Sequence, residues 1–383
     1  MTPIYFDNAA TTAIRPEVLE RMINVMREVP GNPSSSHAVG RKAKSLIENA
    51  RKTVATFMGV TAAEIIFTSG GTEADNLVLN SAVRDLGVKH LITSPTEHHA
   101  VLHIVEQLEK EYKDLKVSYV KIKECGSVDT LHLGQLLAST DDKTLVSLMH
   151  VNNEVGNILD VEGVGKLCKQ YGAYFHSDMV QSVGHYDLKL KEIPVNFMAA
   201  SAHKFHGPKG VGFAYIEKNS GLKPMIFGGG QERGARAGTE SVHNIVGLEE
   251  ALKYAYKNLD EERRQIESIK AYFVNELSAA IPDVKYNGNC ADNSKSTYTL
   301  VNACLPIPPE KSLMLLFQLD LKGIACSKGS ACQSGSDQGS HVLEAFLNEE
   351  DKVKPSVRFS FSHYNTKKEV DYVVKTLKEF IED

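Results

Sequence analysis

The sequence predicts an α/β fold, a large domain with a mainly parallel sheet flanked by helices and a smaller α+β domain beside it. Between residues 64 and 200, short apolar runs that read as buried strands alternate with helical stretches. Such alternation implies βαβ units and a largely parallel sheet. From about Asn258 the texture changes to a long charged helix and then mixed strands and helices, with no Gly/Ser linker between. The chain of 383 residues also exceeds one ordinary domain, two being expected at ~150 residues each.

The elements follow in order, and several place reactive groups just after a strand. Glu64 to Thr68 is the first strand, and Ser69-Gly70-Gly71-Thr72 turns it into a helix from Glu73 to Arg84. Small residues at such a turn let backbone N–H groups approach a phosphate, which the helix dipole favours; a purely structural turn has the same composition. His90 to Thr93 is a strand, Thr96-Glu97-His98-His99 follows it, and a helix runs from His99 to Tyr112. A histidine there can stack on an aromatic cofactor or move protons, although the chain holds 14 of them and most serve structure. Leu145 to Val151 reads as a strand closing on His150-Val151-Asn152-Asn153-Glu154, amide donors suited to a ring oxygen or a carboxylate.

After a helix from Val164 to Tyr171, the strand Ala173 to Ser177 delivers Asp178 and Gln181. A carboxylate there can hold a pyridinium nitrogen protonated, and equally can cap a helix. The strand from Val195 to Ala200 then feeds Ser201-Ala202-His203-Lys204. A lysine directly after such a strand sits where open α/β sheets place their ligands. Partly desolvated, it loses its proton near neutral pH and attacks a carbonyl. The aldehyde of pyridoxal phosphate is the matching carbonyl; the alternative is a surface lysine before a Gly-Pro turn. Gly228 to Thr239 is too rich in glycine for a helix and reads as a loop, its two arginines suited to anion contact or to a plain turn.

Composition removes other classes. A net charge of −5 gives no support to nucleic-acid binding. No apolar stretch approaches the ~20 residues of a membrane helix, and the N-terminus has no basic region followed by an apolar run. A cytoplasmic protein is the expectation. Six cysteines without a Cys-x-x-Cys pair are expected to be mostly reduced and to form no zinc site.

Taken together and in this order, Tyr5 to Thr12, Thr68 to Asn76, Ser201 to Lys204 and Ser356 to Ser360 make the chain resemble the class V aminotransferase-like family of pyridoxal-phosphate enzymes. Within it the chain is most similar to the cysteine desulfurases that feed iron–sulfur cluster assembly. The resemblance implies fold-type I, with residues 13–257 as the large cofactor domain. Residues 1–12 and 258–383 would form the small domain, with a mobile cysteine loop at about 324–340. It implies that Lys204 binds the cofactor covalently. Gly71, Thr72, Ser201 and His203 would hold the phosphate, with Thr239 from the other subunit of a homodimer. Asp178 would pair with the ring nitrogen, Gln181 would contact the ring hydroxyl, and His98 would stack on the ring and shuttle protons. Asn153 and Arg358 would take the substrate carboxylate, a planar guanidinium being suited to bidentate contact.

The desulfurase reading rests on Ile324 to Gly335, a Gly- and Ser-rich stretch in which Cys332 matches the family nucleophile through Gly329-Ser330-Ala331-Cys332. A thiol on a pliable, exposed loop can collect a sulfur atom from L-cysteine and hand it to an acceptor protein, leaving alanine. The acceptor would serve cluster assembly, a thio-cofactor or tRNA. Cys326, six residues earlier, could relay sulfur or pair with Cys332 under oxidation, but an incidental second thiol is the favoured reading. Two positions depart from the family pattern. Met179 stands where relatives carry a small residue, commonly Ala, against the ring. The chain ends at Asp383 without the extension by which housekeeping relatives meet their scaffold. Selenocysteine lysis or transamination would use the same Lys204 and Asp178 without Cys332, and a non-catalytic partner protein would need none of the three.

Overall fold

The computed structural model describes residues 3–329 and 339–382. Its central sheet has seven strands: β2 (Ile65–Thr68), β3 (His90–Thr93), β4 (Lys116–Tyr119), β5 (Thr144–Ser147), β6 (Tyr174–Asp178), β7 (Phe197–Ser201) and β8 (Gly212–Ile216). They lie in the order β2-β8-β7-β6-β5-β3-β4. Only β8 runs antiparallel to its neighbours. Neighbouring residues on one strand point to opposite faces, as a pleated strand requires. Ile92, Val146 and Met198 enter one apolar cluster with helices α1 (Pro16–Glu28), α2 (Ala38–Met58) and α7 (Val242–Lys257). Leu91, Leu145 and Phe197 enter the other with α3 (Gly71–Arg84) and α4 (His99–Glu111). Strands buried on both faces read as unbroken apolar runs, which is why they were visible in the sequence.

The expected strand from Leu145 to Val151 stops at Ser147. Beyond it the backbone turns to new partners, Met149 N–H to the Glu97 carboxyl at 3.0 Å and His150 N–H to the Asp178 carbonyl at 3.0 Å. Glu64 likewise leaves the first strand, because its carboxylate closes a capping box with Thr61. These are end effects, where side chains compete with the ladder for backbone groups.

A separate apolar cluster gathers the C-terminal elements. The antiparallel strands β9 (Lys285–Tyr286), β10 (Leu300–Cys304) and β12 (Ser356–Ser360) lie in the order β12-β10-β9. The long charged helix α8 (Leu259–Ala280) and the final helix α12 (Lys367–Glu382) cover them. Phe6 is fully buried in that cluster, edge-on to Phe273 and Phe361 at 6.2 and 5.1 Å between ring centroids. The N-terminal strand β1 (Ile4–Tyr5) pairs in parallel with β11 (Ile324–Ala325). The first residues thus pack with the last ones, and residues 7–12 cross from there toward the ends of β6 and β7. Among the described residues no helix is long and apolar enough to cross a membrane.

Candidate active site

The parallel strands of the large sheet point the same way, so their C-terminal ends gather the residues that follow them. β7 ends at Ser201 and passes into a short turn, Ala202–Lys204. Lys204 Nζ donates to the carbonyls of Ala9 at 2.6 Å and Ala10 at 2.9 Å. The crossing segment also fixes that turn, Thr12 Oγ1 donating to the His203 carbonyl at 2.9 Å and accepting from His206 N–H at 2.7 Å. His206 takes a left-handed φ of 65°, a strained choice for a residue with a Cβ that these contacts hold in place.

β6 ends at Asp178, whose Oδ1 accepts from Val180 N–H at 2.9 Å. Burial, with the nearby Asp75 carboxyl, pushes its pKa up to about 7. A cationic ring nitrogen beside it would reverse that shift by favouring the carboxylate. His98 caps α4, its Nδ1 accepting from Ala100 N–H at 3.1 Å, which leaves the proton of the neutral ring on Nε2. Burial and the Lys204 ammonium hold its pKa down at about 4, so the imidazole is neutral at pH 7.

These groups line one pocket of about 790 Å³, its mouth included. Ser201, His203, Gly71 and Thr72 also line an adjoining recess with Lys209. Gly71 opens α3, and a Cβ there would lie 2.6 Å from Val180 Cγ2, so only glycine fits. The first-turn N–H groups of a helix have no partner inside it, and with the dipole they favour an anion. Opposite, Gln181 Nε2 donates to the Ala9 carbonyl at 2.9 Å. Arg358, 1% exposed at the centre of β12, donates from Nη1 to the Asn153 carbonyl at 2.8 Å and from Nη2 to Asp7 at 3.0 Å. Its buried Nε has no partner among the described residues, a donor left for an incoming carboxylate. A lysine for an aldehyde, a carboxylate for a ring nitrogen and a recess for a phosphate fit pyridoxal phosphate.

Ten of the twelve residues singled out from sequence therefore line this pocket. Thr239 does not: it is exposed, on the loop that Arg51–Glu232 (2.5 Å) and Arg236–Glu73 (2.8 Å) ion pairs tie to α2 and to α3. That loop's two outer arginines are engaged within the chain, Arg233 with Glu48 at 3.0 Å, so neither stands ready for an anion. Cys332 lies outside the described residues. Met179 corrects an expectation. It is fully buried in the large apolar cluster and does not line the pocket, and Val180 does. Met179 N–H bonds to the Ala199 carbonyl, which turns this residue to the core and its successor to the site. Cys326 is half-buried against the C-terminal cluster, and burial pushes its thiol up to about 12, which suits an inert side chain.

Asp75 was not anticipated. It is 1% exposed, lines the pocket, and sits 3.4 Å from His176 Nε2. Burial pushes its pKa to about 8 and that of His176 down to about 4, so both are neutral at pH 7. The helical spacing from Gly71 to Asp75 (i, i+4) was the available signal, since it puts both on one face of α3.

The aminotransferase class-V family model matches residues 4–373. The chain is 40% identical over 381 residues to the cysteine desulfurase IscS of Dictyoglomus turgidum, covering 99% of this chain and 94% of that protein. It is 41% identical to the putative cysteine desulfurase IscS 1 of Bacillus subtilis over 100% of this chain and 99% of that one. The solved structure of a NifS-like protein superposes with a TM-score of 0.89 at 36% identity, each chain fully covered.

Proposed function

The chain belongs to the aminotransferase class-V family, and from that premise we propose how its pocket works as a pyridoxal-phosphate-dependent cysteine desulfurase. The observation that carries the proposal is the convergence of Lys204, Asp178 and His98 with Arg358 in one pocket. When bound, pyridoxal phosphate supplies an electron sink for negative charge developing at the substrate's Cα.

The protein's own groups do the rest. Arg358 and Asn153 fix the carboxylate of L-cysteine. Gly71, Thr72, Ser201 and His203 would hold the phosphate, joined by Thr239 of a second copy in a homodimer. Asp178 would pair with the ring nitrogen and Gln181 with the ring hydroxyl. Lys204 would hold the cofactor through its aldehyde, and its Nζ amine would take the substrate's Cα proton. His98, neutral and carrying its proton on Nε2, would lie against the ring and move a proton to or from the thiols. The Cys332 thiolate bonds to the substrate sulfur as the Cβ–S bond breaks, giving a persulfide on Cys332. Protonation of the three-carbon remainder releases L-alanine. Overall, one sulfur atom moves from cysteine to the enzyme thiol and no outside oxidant or reductant is needed.

The division into residues 13–257, and 1–12 with 258–383, belongs to this reading, since it puts Lys204 and Arg358 on different bodies. A cytoplasmic setting and a sulfur-accepting protein, for iron–sulfur clusters or another thiolated product, complete it. The holoenzyme is expected to release L-alanine from L-cysteine and leave sulfur on the protein. Activity on L-selenocysteine alone would move the assignment to selenocysteine lysis.

Asp178→Asn removes the carboxylate but keeps the shape. It is expected to weaken pyridoxal phosphate binding about 10–100-fold, the worth of a hydrogen bond to a charged group at about 1.5–3 kcal/mol. Titration of the apoprotein with cofactor measures this, and an unchanged Kd would remove Asp178 from the ring nitrogen.

A further inference from the structure

The loop after β5 does more than present Asn153. Its next residue, Glu154, is fully buried yet reaches both flanks of the stretch from residue 330 to residue 338. On the far flank the Ser340 hydroxyl donates to Glu154 Oε2. On the near flank Gly329 packs so close that a Cβ there would lie 2.9 Å from the same Oε2. One carboxylate oxygen therefore bonds the second residue after the stretch and leaves no room for a side chain on the last residue before it.

The backbone that carries this carboxylate is itself held in place. Asn152 Oδ1 accepts from the N–H groups of Glu154 and Val155 at 2.9 and 3.0 Å. The Glu154 carbonyl accepts from Asn302 Nδ2 at 3.0 Å, and Asn302 pairs with Arg358 across β10 and β12. The flanks have further ties to the same platform. Ser327 exchanges backbone hydrogen bonds with Arg358 at 3.3 and 2.7 Å, and His341 Nε2 lies 2.9 Å from the Glu97 carbonyl. Glu154 thus connects, within one turn of chain, the Asn153–Arg358 pair to both ends of the stretch that contains Cys332. Its other oxygen, Oε1, is buried with no partner among the described residues.

The geometry points to Glu154 as a positioning residue for sulfur transfer: it pins both ends of the Cys332 stretch at a fixed distance from the residues that hold the substrate carboxylate. This rests on Cys332 being the sulfur carrier. It requires that Glu154 act on the transfer step and leave substrate binding alone.

Holoenzyme variants Glu154→Ala, Glu154→Gln, Ser340→Ala and Cys332→Ala separate these roles by two readouts. The change in cofactor absorbance on adding L-cysteine reports binding, and single-turnover release of L-alanine reports transfer. Glu154→Ala and Ser340→Ala are expected to slow release about 10-fold or more, since small misplacements of reacting groups have effects of that size. The half-saturating L-cysteine concentration should stay within about 2-fold, the mark of a contact used only after binding. Glu154→Gln keeps an acceptor for Ser340 and should restore most of the rate. Unchanged release in Glu154→Ala and Ser340→Ala overturns the proposal, as does binding that falls in step with release. Should Glu154→Ala not fold, Ser340→Ala decides the matter from the other side of the contact. Rapid release by Cys332→Ala would instead overturn the carrier reading beneath it, a result distinct from either Glu154 outcome.

Discussion

Lys204→Ala is expected to lower alanine formation from L-cysteine by about 10⁴-fold or more, the scale on which losing a covalent catalytic group acts. The purified variant should also lack the visible absorbance of covalently held pyridoxal phosphate while still binding the free cofactor. Both effects follow from position. Lys204 ends a turn of three residues after β7, and Nζ reaches the Ala9 and Ala10 carbonyls inside the pocket. Among the described residues no other lysine lines that pocket, and Lys209, in the adjoining recess, lies on the phosphate side. The Ala9 and Ala10 contacts are hydrogen bonds at a partly buried site, so their loss costs little stability and a folded variant is expected. Normal turnover by Lys204→Ala would mean that the pocket is not where the chemistry occurs.

Cys332→Ala is expected to abolish sulfur release from L-cysteine while leaving the cofactor spectrum and the absorbance change on adding L-cysteine intact. The separation of these effects is the informative part. The pocket contains groups to bind an amino acid and move protons, but among the described residues no cysteine lines it. The described thiols offer no substitute. Cys168 and Cys290 are buried and pushed up to about 12 and about 11, and Cys326 is pushed up to about 12. Thiols so raised are almost wholly protonated at pH 7 and are poor nucleophiles. Cys125 is exposed, its thiol held below the usual range by Ser127, but it does not line the pocket. If Cys332→Ala transfers sulfur as fast as the unaltered chain, the assignment to this thiol fails and Cys125 becomes the first alternative.

Much of this arrangement was legible in the sequence because the large sheet is parallel and buried. Runs such as Phe197 to Ala200 are apolar throughout and short, and a chemically active residue just beyond them has one place to go. Lys204, Asp178 and His98 follow strands in that way. The interior of the site was harder to read. Asp75 is on a helix, where a carboxylate looks like any other solvated face. Whether Met179 or Val180 faces the ring depends on one backbone hydrogen bond to Ala199. The role of residues 7–12 as a brace for the lysine turn leaves no trace in periodicity. Its contacts join positions about 190 residues apart, such as Thr12 and His203. Glu154 was equally hidden, because its meaning lies in which two distant residues it touches.

The central claim is that sulfur from L-cysteine comes to rest on Cys332. The most direct test is to mix the holoenzyme with one equivalent of L-cysteine, digest it without reductant and weigh the cysteine-bearing peptides. The account predicts one added sulfur atom on the peptide containing Cys332 and an equal amount of L-alanine in solution. Alanine formed with no sulfur on Cys332, or with the sulfur on the peptide of Cys125 or Cys326, would contradict it.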